Sequence, residues 1–415
     1  MDKTQGSNIE KMICQINAYR EEGYEGTTRH ALSKVEQRAR GYVCEYMQQL
    51  GMQVFTDGIG NILSCYEGTD PTLAPVWTGS HIDTVTNAGM FDGVAGIVSA
   101  LEAIRYLREE GIRPLRSIYV NVYTCEESTV FGSGCIGSRA LAGYLKKEEL
   151  GQITDLAGKS LLTYLQECGF YKEENCRHLF GKDVFHPKAS VELHIEQGPW
   201  LEREKKTIGI VDSICAPTNI MVTLRGVQSH AGGTSMAERA DAFAALGEIS
   251  VELEKIIAQG KSTYHTGTIG YVSVMPNAVN VIPGEVTFSV DIRDCDAVSK
   301  TELEDILIDR MKQICKKRRI ALSYKVECRD TPMPCDKEIE AVIENSCIEH
   351  KIPYMHMISG AYHDSLFIGK LCPVAMIFVP SYNGISHSPK EWTDFADIEK
   401  ATILLKDVLC QLASE

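Results

Sequence analysis

The chain has no Cys-x-x-Cys pair, no basic excess, no apolar stretch long enough for a membrane span, and no internal repeat or low-complexity tract. Each absence removes a class of function. Without cysteines at knuckle or redox spacing, neither a zinc knuckle nor a thioredoxin-type site is indicated. The 15 cysteines are scattered, several inside apolar runs as at Cys125, Cys215 and Cys372, which predicts reduced thiols. With 42 basic against 56 acidic residues the formal charge is −14, so the chain lacks the positive surface that nucleic acid or an anionic membrane requires. No segment reaches the roughly 18 uninterrupted apolar residues of a membrane helix. The start, Met1-Asp2-Lys3-Thr4-Gln5-Gly6, has no apolar signal core, and a cytoplasmic location is expected.

What is present is globular: 415 residues, 44% apolar and 24% charged, enough for two or three domains and a large core. From about 60 to 200, strand-like runs (62–66, 76–80, 118–124, 191–194) alternate with helical ones (94–110, 136–146). This alternation predicts an α/β layered domain with a largely parallel sheet, whose chemistry gathers at the carboxyl ends of the strands. Between 212 and 328 the texture changes to strand, helix, two strands, helix, strand (219–225, 236–258, 266–274, 285–293, 301–317, 321–327), an inserted α+β module. The chain then returns to the first domain through a helix at 339–350, a strand at 374–379 and a helix at 397–412. The expected division is a catalytic domain of 1–211 and 329–415, and an inserted domain of 212–328.

Five residues of metal-ligand type, His81, Asp92, Glu127, His194 and His387, follow or flank short apolar runs that read as strands. In Val76-Trp77-Thr78-Gly79-Ser80-His81-Ile82-Asp83 the run ends in an imidazole, and Asp83 two residues on can orient its other ring nitrogen. Mixed imidazole and carboxylate ligands suit zinc, manganese, cobalt or iron, with water left as the reactive ligand. A single His at a strand end commonly serves as a hydrogen-bonded structural residue, and Glu126-Glu127 alone would read as a solvated helix start. The residues by themselves leave both readings open.

With its motifs assembled, the chain resembles the amidohydrolase branch of the zinc aminopeptidase and aminoacylase superfamily, which contains allantoate amidohydrolase, ureidoglycolate amidohydrolase and N-carbamoyl-L-amino-acid hydrolase. The motifs run over 26–401: Gly58-Ile59-Gly60-Asn61, Gly79-Ser80-His81-Ile82-Asp83-Thr84-Val85, Phe91-Asp92-Gly93, Glu126-Glu127, Glu192-Leu193-His194-Ile195-Glu196-Gln197-Gly198-Pro199, His230-Ala231-Gly232, Pro276-Asn277 through Pro283-Gly284, and Ser386-His387-Ser388-Pro389. The resemblance implies two divalent ions per subunit, manganese or zinc with cobalt or nickel also compatible. Asp92 would bridge them, His81 and His194 would hold one, and Glu127 and His387 the other. Glu126 matches the general base, since a water acidified by metal still needs an acceptor for its proton. His230 resembles the residue that steadies the oxyanion, reaching the site of the partner subunit in relatives, so a homodimer through 212–328 is implied. Arg293 resembles a clamp on the substrate carboxylate. Gln197 and Asn280 resemble ureido and carboxylate contacts, and Gly360, Tyr362 and His363 line the same pocket. His30, His178, His186, His265, His350 and His356 match no motif and are expected to be surface or packing residues.

The resemblance is mixed as to substrate. Tyr362, the Cys315-Lys316-Lys317-Arg318-Arg319 run and Ile377-Phe378-Val379-Pro380-Ser381-Tyr382 are similar to the ureidoglycolate enzymes, whereas Gly360 is similar to the allantoate and carbamoyl enzymes. Val130 stands where relatives commonly have Arg, which leaves fewer cations for the substrate. The expected substrate is a small ureido acid with one carboxylate, ureidoglycolate ahead of N-carbamoyl-L-amino acids and allantoate. An N-acyl amino acid deacylase or dipeptidase would share the metal residues, but Gln197 and Arg293 follow the ureido branch. A catalytically dead relative would have lost a ligand or Glu126, and none is lost.

Overall fold

The computed structural model describes residues 7–171 and 186–415 and divides the chain into two units. The first comprises Met1–Asp212, Cys335–Met357 and His363–Glu415, and the second Ser213–Pro334 with Ile358–Tyr362. Gly360 and Tyr362 therefore fold with Arg293, while His363 folds with the residues of metal-ligand type.

The first unit is built on a mixed sheet in the order Gln53–Thr56, Ile62–Tyr66, Ile118–Tyr123, Val76–His81, Ala189–Ile195, Val374–Val379, Ile208–Ile214. Its middle four strands are parallel, and the strands outside them run antiparallel. Val76–His81, Ala189–Ile195 and Val374–Val379 are buried along their whole length, as strands covered on both faces must be, and Val374–Val379 is apolar at every position. The helix Val94–Glu109 is buried almost all round and packs on this sheet beside the helix Phe395–Ser414, where Thr402 Oγ1 donates to Ser99 Oγ at 2.9 Å.

The second unit is an antiparallel sheet in the order Val272–Met275, Glu285–Asp294, Ala216–Arg225, Ala321–Arg329, with His265–Thr268 beside the far half of Glu285–Asp294. The helices Ala242–Ile257 and Ala297–Arg318 cover it, and alternate residues of Glu285–Asp294 fill the core between. A two-stranded ribbon pairs Ser229–His230 with Val281–Ile282.

Several elements differ in extent from the sequence reading, and caps explain most of the differences. The helix expected over 236–258 starts at Ala242 because the Asp241 carboxylate accepts from the amides of Phe243 and Ala244. The strand expected over 266–274 is two strands broken around Gly270. The helix expected over 136–146 stops at Leu141, followed by Gly143 in the left-handed region at φ 75°. No helix among the described residues is long and apolar enough to cross a membrane, and none of the described cysteines forms a disulfide.

Candidate metal centre and substrate site

His81 ends the strand Val76–His81, opposite Tyr123 of the parallel strand Ile118–Tyr123, and His194 lies in Ala189–Ile195 opposite Phe378. Parallel pairing thus brings two imidazoles from neighbouring strands to one edge of the sheet, with Cys125-Glu126-Glu127 following the strand Ile118–Tyr123 on the other side of His81. Asp92 and His387 do not sit at strand ends, contrary to the sequence reading. Asp92 occupies the turn before the helix Val94–Glu109, and His387 lies in a loop at φ 54°, well past Val374–Val379. Both ride on segments whose conformation is set by distant partners.

The geometry centres on Asp92. Its Oδ1 is 3.6 Å from His81 Nε2 and 3.3 Å from His194 Nε2, while its Oδ2 is 3.1 Å from His387 Nε2, which is also 3.3 Å from Glu127 Oε1. Two donor groups result, His81 with Asp92 and His194, and Asp92 with Glu127 and His387, each with its candidate ligand atoms within 4.8 Å. Glu126 Oε2 lies 3.7 Å from His81 Nε2. Gly93 is required here: its φ is 66°, and a Cβ would fall 2.5 Å from the His81 ring.

Electrostatics agree with a cation-binding role. Burial pushes the Glu126 carboxyl well up, with His81 pulling it down and Glu127 adding repulsion. Burial would raise Asp92 as well, but hydrogen bonds from His194, His387 and His81 hold it well below the usual carboxylate range. Hydrogen bonds to Asp92 and Glu127 carry His387 up to about 11. Buried carboxylates with two buried imidazoles, His81 and His194, and a third at the solvent side, His387, form a donor set that divalent ions satisfy. A buried orphan points the same way: Gln197 Nε2 donates to Asp92 Oδ2 at 2.8 Å, while Gln197 Oε1 is buried with no hydrogen-bond partner.

The role expected of Asp83 needs correction. His81 Nδ1 bonds the Asp83 backbone carbonyl at 3.0 Å, whereas the Asp83 carboxylate stays 3.8 Å away. That carboxylate instead accepts from the amides of Glu126 at 3.3 Å and Glu127 at 3.1 Å. Asp83 therefore holds the acidic pair through its side chain and the His81 tautomer through its main chain.

Supporting residues that the sequence reading missed come from far along the chain. Glu391 accepts the Phe91 and Asp92 amides at 2.9 and 3.2 Å and a hydrogen bond from Ser386 at 2.8 Å, so it pins the Asp92 turn and the His387 loop to each other. Glu192, inside the His194 strand, accepts from Ser80 and Ser365 at 2.9 and 2.6 Å. His363 is buried with its ring 4.5 Å from that of His194. Nothing in local spacing signals these pairings.

The Gly58-Ile59-Gly60-Asn61 motif is structural support for the same edge. The Asp57 carboxylate accepts from the amides of Ile59 and Asn61, and Asn61 accepts from Thr124 N at 3.0 Å while donating to Gly137 O at 3.1 Å. Asn61→Ala is expected to lower stability by about 3 kcal/mol, because it strands buried partners on both sides of the Glu126-Glu127 segment. The shift in denaturant midpoint measures it, and an unchanged midpoint would remove Asn61 from this role.

In the second unit, His230 and Asn280 meet on the ribbon, where His230 pairs with Val281 and the Ala231 amide bonds the Asn280 carbonyl at 2.9 Å. His230 Nδ1 accepts from the amides of Gly232 and Gly233 at 3.1 and 3.0 Å, so the neutral ring carries its hydrogen on Nε2. His230 and Asn280 are both exposed. Arg293 bonds the Asp291 carboxylate through Nε at 3.0 Å and Nη2 at 3.1 Å, with Nη1 3.5 Å from Gly360 O and the guanidinium carbon 5.9 Å from the Tyr362 ring centroid. Of the histidines without a motif, His30, His265, His350 and His356 have local polar partners and His186 is exposed, while His178 lies outside the described residues.

The model of Peptidase family M20/M25/M40 matches residues 77–411. The chain is 35% identical over 412 residues to a ureidoglycolate hydrolase of Oryza sativa subsp. japonica, covering 98% of this chain and 84% of the relative. It is 33% identical to an N-carbamoyl-L-amino-acid amidohydrolase of Pseudomonas sp. (strain NS671), covering 92% of each, and 34% identical to an allantoate amidohydrolase of Escherichia coli (strain K12), covering 98% and 97%. Among solved structures, AtUAH in complex with glyoxylate superposes with a TM-score of 0.89 at 33% identity, over 98% of this chain and 97% of that one.

Proposed function

The chain belongs to Peptidase family M20/M25/M40, and from that premise we propose that it is a binuclear-metal amidohydrolase releasing ammonia from a linear ureido acid, with ureidoglycolate the first substrate. It is a hydrolase of carbon–nitrogen bonds other than peptide bonds, in keeping with full-length relatives named for ureidoglycolate, allantoate and N-carbamoyl-L-amino acids. The observation that carries the mechanistic reading is Asp92, whose two oxygens face two separate donor groups beside Glu126.

His81 and His194 would hold one divalent ion, Glu127 and His387 a second, and Asp92 both. Bound manganese or zinc, with cobalt or nickel as substitutes, would lower the pKa of a water and polarise the scissile carbonyl. Glu126, raised by burial, accepts the proton of the attacking water and returns it to the leaving nitrogen. His230, with its hydrogen on Nε2, donates to the oxyanion as charge develops there. Arg293 binds the substrate carboxylate on the guanidinium edge that Asp291 leaves open, and Gln197, Asn280 and His363 supply the remaining polar contacts. The protein acts as a cytoplasmic homodimer joined through the second unit.

An ammonia-release assay on metal-reconstituted enzyme, with ureidoglycolate, allantoate, N-carbamoyl amino acids, N-acetyl amino acids and dipeptides side by side, tests the reading. Hydrolysis of dipeptides or N-acetyl amino acids without any ureido compound would sink it. Arg293→Lys is expected to raise KM for carboxylate substrates on the order of tenfold or more with metal content unchanged, because a point charge cannot replace two parallel hydrogen bonds. An unchanged KM would reduce Arg293 to the ion pair it makes with Asp291.

A further inference from the structure

We infer that Asp291 and Tyr264 set the specificity of the carboxylate subsite around Arg293, confining it to substrates that carry one carboxylate on a carbon with a small substituent. This rests on the ureido acid reading above. The inference is about selection within that class.

Asp291 and Arg293 are two residues apart on the strand Glu285–Asp294, so their side chains leave the same face. The Asp291 carboxylate takes Nε and Nη2 of Arg293 together, which uses the whole side edge of the guanidinium. With one Nη1 hydrogen facing the Gly360 carbonyl, only the end edge, the other Nη1 hydrogen with the second hydrogen of Nη2, remains for a ligand. The pair is also neutral in sum, so one incoming carboxylate finds a partner, whereas a second carboxylate on the same substrate meets Asp291 with no cation left over. Asp291 thereby both orients Arg293 and repels dianions.

Tyr264 limits size. It precedes the strand His265–Thr268, which pairs with Asp291–Asp294, and its carbonyl is held by the Cys295 amide and the Ser262 hydroxyl. A Cβ on Gly360 would overlap the Tyr264 hydroxyl, so the phenol fills the space beside the Gly360 carbonyl that Arg293 Nη1 faces. Tyr362 closes another side of the guanidinium with its ring. Arg293 is thus bordered by an acid, a backbone carbonyl and the Tyr362 ring, with the Tyr264 ring packed against Gly360 beside them, where a substituent on the carbon next to the bound carboxylate competes with it for volume.

The test uses full-length, metal-reconstituted enzyme and three probes: N-carbamoylglycine, N-carbamoyl-L-leucine and N-carbamoyl-L-aspartate. Asp291→Asn should raise kcat/KM for the aspartate compound relative to the glycine compound by about tenfold, while KM for the glycine compound rises and its kcat holds. Tyr264→Ala should raise kcat/KM for the leucine compound relative to the glycine compound by about tenfold, and Tyr264→Phe, which keeps the ring, should leave that ratio near the wild-type value. If Tyr264→Ala fails to fold, as judged by melting and metal content, Tyr264→Leu takes its place, with the same expected direction. Ratios that do not move, with the wild type active on a ureido acid, overturn this inference and leave the ureido reading intact. A wild type inactive on every ureido acid overturns both.

Discussion

Glu126→Gln should retain its metal and lose turnover by about a hundredfold or more, while Glu127→Ala should lose metal first and activity as a consequence. Adjacent residues of the same type are given opposite fates by their surroundings. Glu127 lies 3.3 Å from His387 Nε2, in the donor group that shares Asp92 Oδ2. Glu126 is turned to His81 at 3.7 Å and accepts a weak Cys135 thiol contact at 3.6 Å, and burial raises its carboxyl so that it can hold a proton between attack and departure. Glutamine keeps the shape and a carbonyl acceptor but cannot carry a proton. Elemental analysis beside single-turnover ammonia release separates the two variants. If Glu126→Gln lost metal and Glu127→Ala kept it, ligand and base would have to be exchanged.

The same pair marks how far sequence alone could reach. His81, His194 and Glu126-Glu127 were legible because they lie at or just past the carboxyl ends of buried strands, and parallel pairing brings such ends to one edge. The α/β layering and largely parallel sheet follow from the same runs. Asp92 and His387 were found by motif, while the placement inferred for them from strand ends failed, since both are held by Glu391 and Ser386 rather than by a strand. Glu391 is 300 residues from Phe91 in the chain, and no local period encodes such a bond. Asp83 was the right residue for a supporting role, but the contact is made by a different atom, because a strand that turns at Ile82 carries the Asp83 carboxylate towards the Glu126 and Glu127 amides. Helix starts were misplaced where an Asp cap lies inside an apolar-periodic stretch, as Asp241 does, because the hydrophobic period runs through the cap without interruption. Asp291 was readable in principle, two residues before Arg293 on a strand whose alternation puts both side chains on one face, whereas the adjacent acid Asp294 is buried on the other. Asp294 instead accepts from the Asp296 amide and the Ser299 hydroxyl.

Co-expression of His230→Ala subunits with Glu126→Gln subunits should restore activity that neither homodimer has. His230 lies in the second unit, on a two-stranded ribbon apart from that unit's five-stranded sheet, and is exposed with its Nδ1 committed to the Gly232 and Gly233 amides. An exposed imidazole held in one tautomer by backbone donors is suited to reach outward with Nε2–H, and a site that draws it from the partner leaves each chain incomplete alone. In a heterodimer one of the two sites then combines an intact Glu126 with an intact His230, while the other lacks both, so activity returns to at most about half of the wild-type value. Tagging the two subunits differently and purifying through both tags isolates the heterodimer, and its kcat per active site should equal that of the wild type. A stable, fully active monomer, or verified heterodimers that stay as inactive as their parents, would place His230 in the active site of its own chain. The homodimer would then have to be argued on packing alone, and the oxyanion donor would have to arrive by closure within a single subunit.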